Sequence, residues 1–240
     1  MTAPQTCCAV VELRQYTLHP GARDVLIRLF DREFVETQEA VGMSVIGQFR
    51  DLDDPNRFVW LRGFPDMTTR AQALQAFYGG PVWAEHRDAA NATMIDSDDV
   101  LLLRPARPGS GFSLRNGRPA PGAEEPREAV VTAMICHGDG SQDEPLSLFA
   151  RVLEPAWTAA GADVAGCFVT ESSPNTFPAL PVREGENVVV WFSRFQDCES
   201  HERHVAALSR SPEWRAATRE LNGRLEVLRL SPTARSRLGS

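Results

Sequence analysis

The chain has 240 residues, 42% hydrophobic and 24% charged, with a net charge of −7. That length suffices for two domains, each with its own core, and the acidic balance argues against nucleic acid as a partner, because binding phosphate needs a basic surface. No apolar run approaches the roughly 20 residues that span a bilayer, and the N-terminus has no basic segment followed by an apolar one, so the expected address is cytoplasmic, without membrane span or signal peptide.

Residues 9–18 alternate as a strand that ends at His19-Pro20-Gly21. Val25, Leu26, Leu29, Phe30 and Phe34 recur at helical spacing and predict a helix over 22–41, stopped at Gly42. Strands at 43–52 and 57–64 flank the turn Asp53-Asp54-Pro55-Asn56. Asp66 or Thr68 caps a helix to Tyr78, Pro81 opens another to Asn91, and 99–104 is the last strand of this half. The order then repeats: strand 129–137, helix 144–160 with a kink expected at Pro155, strands 164–171 and 187–195, helices 198–209 and 213–222, and strand 224–230.

The repeat is also one of residues. Trp60, Phe64, Asp66, Pro81 and Trp83 recur 131 positions later as Trp191, Phe195, Asp197, Pro212 and Trp214. Upstream, Leu29, Phe30, Arg32, Ala40, Gly42, Val45, Gly47 and Phe49 recur 119 later as Leu148, Phe149, Arg151, Ala159, Gly161, Val164, Gly166 and Phe168. Two constant offsets broken by one insertion are what duplication leaves; the insertion is the Pro-rich hairpin loop 172–186 of the second half. The expected domains are 1–105 and 128–231, joined by a linker over 106–127 and followed by a frayed tail over 231–240. The order β-α-β-β-α-β predicts an α+β chain of two tandem ferredoxin-like domains, each an antiparallel sheet with helices on one face. The two copies can then cover each other's open sheet face.

Glu12-Leu-Arg-Gln-Tyr16-Thr-Leu-His-Pro-Gly21, Gly47-Gln-Phe49 and Pro81-Val-Trp83 resemble the NIPSNAP family, strongly in the first half and more weakly in the second. The resemblance implies a dimeric α/β-barrel fold, here formed as a pseudo-dimer, in which two ferredoxin-like sheets close around a shared interior. Relatives of that broader architecture include small oxygenases, haem-handling enzymes and polyketide-modifying enzymes; for the family itself no settled reaction follows.

Alternation sorts each strand of the first half into two faces. One holds Glu12, Arg14, Tyr16, Gln48, Arg50, Phe58, Trp60, Arg62, Leu102 and Arg104; the other holds Val11, Leu13, Val45, Gly47, Phe49, Val59, Leu61, Leu101 and Leu103. The apolar set is expected against the helices and the polar set inside the barrel. In the second half Gln48, Arg50 and Arg62 become Cys167, Val169 and Ser193, and Glu12 and Arg14 become Thr132 and Met134, while Trp60 stays as Trp191. The expected site is therefore a pocket between the two sheets for a small anionic or oxygenated aromatic molecule, with Arg14, Tyr16, Gln48, Arg50, Trp60 and Arg62 binding it. Glu12 and His86 are the candidates to move protons in a cofactor-independent oxygenation or isomerisation. The bland alternative is a structural network of Glu12 with Arg14 or Arg62, in a non-catalytic scaffold or interaction module. An interior filled by side chains would defeat the enzyme reading, and a haem protein is a third possibility.

All 25 basic residues are arginine, which excludes a lysine Schiff base and a P-loop lysine. The five cysteines include no Cys-x-x-Cys, and adjacent Cys7 and Cys8 cannot easily pair, which suits reduced thiols. Cys198-x-x-His201-x-x-His204 has metal-ligand residue types but no obvious fourth donor, so it reads as a solvated helix face and no metal or other cofactor is expected. The partner expected is a small molecule, with the chain a monomeric pseudo-dimer or a homodimer.

Overall fold

Eight antiparallel strands close one barrel in the order β1-β3-β2-β8-β5-β7-β6-β4. They are β1 Val10–Leu18, β2 Ser44–Asp51, β3 Arg57–Phe64, β4 Met94–Pro105, β5 Val130–His137, β6 Asp163–Thr170, β7 Val188–Phe195 and β8 Leu225–Pro232. The computed structural model describes residues 7–114, 117–123, 128–138, 143–221 and 224–238. Each half supplies four adjacent strands in the same relative order, β4-β1-β3-β2 and β8-β5-β7-β6. Short seams join them, Phe49–Asp51 on Leu230–Pro232 and Leu103–Pro105 on Phe168–Thr170, so the barrel closes within one chain.

The two sheet faces are inverted from the sequence-based expectation. Val11, Leu13, Phe49, Val59, Leu61, Leu101 and Leu103 point into the barrel, where they meet Val131, Ala133, Ile135, Phe168, Val190, Phe192 and Leu230. The polar face of the first half lies under its own helices, with Tyr16, Phe58, Trp60 and Leu102 in the helix-side core. An eight-stranded barrel has an interior just wide enough for side chains to fill. Charges placed there would lack both water and partners, so the apolar set goes inside. The pocket expected between the two sheets is thus replaced by packed core.

A β-bulge between Val45 and Gly47 places Val45 on the helix side and Ile46 and Phe49 in the barrel. The second half repeats it between Val164 and Gly166. A Cβ on Gly47 would lie 2.5 Å from Phe49 Cζ, and one on Gly166 would lie 2.8 Å from Phe168 Cε2. The two corresponding glycines therefore leave room for the two corresponding phenylalanines.

The helices pack outside the barrel. In the first half α1 (Arg23–Leu29) runs through a π-helical turn, Phe30–Phe34, into α2 (Val35–Ala40). The second half repeats this as α5 (Asp143–Leu148), Phe149–Leu153 and α6 (Glu154–Ala159). The irregularity occurs at the corresponding position of the first half, where there is no proline, so Pro155 is accommodated beside a π turn that does not depend on it. Asp66 caps α3 (Met67–Tyr78) in a capping box with Thr69, and Asp197 caps α7 (Cys198–Arg210) likewise with Ser200. Pro81 opens α4 (Pro81–Asn91) and Pro212 opens α8 (Pro212–Leu221).

Two segments read as linker and tail are built into the barrel. Phe112 is buried in its core against Phe168 and Phe192, with ring centroids 4.7 and 5.1 Å away, and its carbonyl accepts from the Cys7 amide. Residues 115–116 and 124–127 of that linker lie outside the described residues, as do the N-terminal 1–6 and the C-terminal 239–240. After β8, the amides of Thr233 and Arg237 donate to Gln48 O and Ile46 O, and Leu238 joins the barrel core. Cys7 and Cys8 are free thiols whose sulfurs lie 2.7 Å apart, so the two adjacent side chains do meet. Among the described residues no helix is long and apolar enough to cross a membrane.

Candidate functional site

Alternation on β1 turns Glu12, Arg14 and Tyr16 toward the helices, and the register with β3 sets Glu12 opposite Arg62 and Arg14 opposite Trp60. Helix α3 adds Arg70. Its buried residues are Arg70, Ala73, Leu74 and Phe77, so Arg70 occupies the first position of an apolar stripe at helical spacing. The three guanidiniums converge on one carboxylate. Glu12 Oε2 accepts from Arg14 Nη1 at 2.8 Å and Arg62 Nε at 2.7 Å, and Oε1 accepts from Arg70 Nε at 2.7 Å. All four side chains are essentially without solvent exposure.

The cluster carries three positive charges against one negative, away from water. Burial alone would raise the Glu12 pKa, but Arg62, Arg14 and Arg70 outweigh it and hold the carboxyl well below the usual carboxylate range. The buried Tyr16 phenol, which accepts from Arg14 Nε at 3.0 Å, is pushed up, first by burial. Aromatic faces surround the excess charge: the Arg62 guanidinium lies 5.0 Å from the Trp60 centroid and 5.8 Å from that of Tyr78, and Arg14 lies 5.7 Å from Trp60. Arg62 Nη1 reaches Gln38 Oε1 and the Tyr78 hydroxyl, each at 3.3 Å. Arg62 Nη2, Arg70 Nη2 and Trp60 Nε1 are buried donors without a hydrogen-bond partner among the described residues.

Of the residues predicted for the site, Glu12, Arg14, Tyr16, Trp60 and Arg62 come together here. Gln48 is buried but turns to Asp31, with Nε2 to Oδ1 at 3.3 Å. Arg50 stands at the surface in an ion pair with Asp24 at 2.9 Å. His86 is half-buried beside Glu33, Nε2 to Oε2 3.4 Å, and meets the site's aromatic wall through Phe34. Arg70, Tyr78 and Gln38 were missed. The polar residue in the α3 stripe was the signal for Arg70; nothing in the sequence marked the other two.

The cluster is roofed by the other half of the chain. The long hairpin loop between β6 and β7 reaches across, and Arg70 Nη1 donates to Asn175 Oδ1 at 3.0 Å and Thr176 Oγ1 at 3.2 Å. Phe177 stacks on Tyr78 with centroids 6.0 Å apart and planes at 28°. Beneath it an aromatic-lined cavity of about 30 Å³, bounded by Tyr16, Gln38, Trp60, Tyr78 and Trp83 among others, has space for about one water. A roomier groove of about 640 Å³ lies among the second-half helices, lined by residues such as Val152, Ala156 and Ala217, and shares no residue with the cluster.

The second half holds the same place without charge. Gln38 and Arg62 correspond to Trp157 and Ser193, whose indole Nε1 donates to the hydroxyl at 2.7 Å. Arg70 corresponds to His201. His201 and His204 are buried rather than on a solvated face, packed on Phe195 at 5.0 and 4.9 Å, with His204 also on Trp157 at 4.3 Å. Burial lowers both histidine pKa values. Cys198 is exposed, so the three do not converge, and among the described residues no group of three His, Cys, Asp or Glu could hold a metal ion.

Residues 11–108 match the NIPSNAP family model. The first half is thus similar to a NIPSNAP domain. In fold the whole chain resembles solved structures such as the following three. A candidate monooxygenase from Fusobacterium nucleatum is 7% identical with a TM-score of 0.59, over 96% of this chain and 95% of that one. An anthrone oxidase-like protein is 13% identical at 0.56, over 100% and 98%. A candidate monooxygenase from Lactobacillus acidophilus is 12% identical at 0.54, over 95% and 96%. No curated protein matches the chain.

Proposed function

We propose that the NIPSNAP half binds a small anionic or oxygenated aromatic molecule between its sheet and its helices. One observation carries this: three buried guanidiniums share a single carboxylate, and Arg62 Nη2 and Arg70 Nη2 still lack hydrogen-bond partners among the described residues. Excess buried charge is costly, and a carboxylate or phenolate would offset it with charge-assisted hydrogen bonds. Trp60, Tyr78 and Trp83 supply rings to pack against a planar ligand.

The filled barrel removes the enzyme reading that relied on a pocket between the sheets; binding moves with the polar residues to the helix side. Glu12 is an arginine-orienting group in this reading, since a carboxylate held at so low a pKa is a weak base. His86 stands with Glu33 outside the cluster and has no place in proton transfer. The Tyr16 hydroxyl and the guanidiniums remain to stabilise negative charge on an enolate or phenolate oxygen, a demand common to oxygenation and isomerisation of aromatic substrates. The fold likeness to candidate monooxygenases and an anthrone oxidase-like protein is compatible with that chemistry but carries no substrate. We further infer that the halves descend from one duplicated ferredoxin-like unit whose second copy carries Thr132, Met134, Ser193 and His201 where the first has Glu12, Arg14, Arg62 and Arg70.

Titration calorimetry with sodium salicylate tests the site. Arg62→Met and Arg70→Met should each weaken binding about tenfold or more, the range for losing a charged hydrogen bond, while Arg50→Ala should leave it unchanged. Equal affinity in all three variants would sink the reading and leave the structural network of a scaffold.

A further inference from the structure

The 119- and 131-residue offsets differ by one insertion, and that insertion is the loop over the arginine cluster of the opposite half. The equivalent hairpin of the first half is only the tight turn at Asp53–Asn56. The extra chain is specifically shaped at its tip. Asn175 Nδ2 donates to Leu180 O at 2.9 Å, and the Phe177 amide donates to Asn175 Oδ1 at 3.0 Å, which together fix the side chain with its oxygen on Arg70.

The tip thus offers a buried guanidinium an oxygen acceptor and offers Tyr78 an aromatic ring. These are the two features that an aromatic carboxylate would present to the same residues. We propose that this loop is a resident stand-in for the ligand: it occupies the anchoring points on Arg70 and Tyr78 in the free protein and is displaced when an aromatic anion binds. The proposal rests on the ligand-binding reading above.

Chemistry sets the direction of exchange. Asn175 contributes a neutral amide oxygen to a charged donor, whereas a carboxylate brings an opposite charge and can pair with the guanidinium bidentately. The Phe177–Tyr78 contact is a single offset stack. Farther down, the loop is tied more firmly: the Arg183 amide donates to Val100 O at 2.9 Å, and its guanidinium pairs with Asp99 and Glu186 at 3.1 and 2.6 Å. Displacement is therefore confined to the tip, with the base as its anchor.

The test compares the full chain with its Asn175→Ala/Phe177→Ala variant in calorimetric titrations with sodium salicylate. A stand-in lowers apparent affinity by the fraction of molecules whose site is open, a minor state of about 1–10% in such equilibria. Weakening it should tighten binding about tenfold. Unchanged or weaker binding by the variant overturns displacement, while the site itself stands as long as Arg70→Met weakens binding about tenfold or more. Binding left unchanged by Arg70→Met removes the site and the stand-in with it, and so does absence of binding by both loop forms. Hydrogen exchange on the unaltered chain gives a second readout: the amides of 173–180 should exchange faster with salicylate bound, and equal or slower exchange overturns the proposal.

Discussion

Glu12 is the single negative charge among three buried guanidiniums, so its loss is felt by all of them. Glu12→Gln should destabilise the protein by about 3–5 kcal/mol, the cost of leaving buried charge uncompensated, measured by urea denaturation. The same residue sets a pH dependence. Its folded pKa lies below its ordinary value of 4.5, so on acidification the unfolded chain takes up the proton first. Its contribution is complete above about pH 4.5 and is lost as pH falls toward the folded value. Stability should therefore decline below that pH, and the decline should be shallower in Glu12→Gln. Five of the cluster's residues were legible because β1 and β3 alternate strictly. Arg50 was misread because alternation reports a face and not a depth: near the end of β2 the same face reaches solvent.

At the scale of elements, nearly every strand and helix lies within a few residues of its sequence signal, because caps, turns and periodicity are local. The clearest departure is β4, which begins at Met94 rather than 99, through a largely exposed and polar stretch that carries no strand pattern of its own. The twin bulges make a further prediction. Gly47→Ala and Gly166→Ala should each cost about 1–3 kcal/mol by overpacking a phenylalanine against the new methyl, visible as a lowered urea midpoint with unchanged slope. A neutral result at both would mean that the rings have room to move. His201 and His204 show the converse limit. Their spacing suggested either ligands or solvent exposure, and only the packing of α7 on β7 turned them into core.

For the whole molecule, the barrel makes the halves interdependent. Phe112, from the connecting segment, fills the interior, and Phe112→Ala should cost about 3–5 kcal/mol in thermal or urea denaturation, whereas a true linker residue would cost almost nothing. The first half alone would expose Val11, Leu13, Val59, Leu61, Leu101 and Leu103. Expressed by itself it should self-associate through that face, giving at least a two-copy mass by light scattering; a stable monomer would contradict the need for cover.

The sequence alone determined the element order, the repeat and the two residue sets on each strand, because these depend on spacing along the chain. It could not determine which set faces inward. Both faces of every sheet are buried, one under helices and one in the barrel, so polarity does not distinguish them. Closure decided that. A sealed barrel excludes charge, while the helix layer accepts it where Glu12 and a loop 105 residues away can satisfy part of the donor set. The loop's reach to Arg70 is a contact between halves, and no local pattern encodes it.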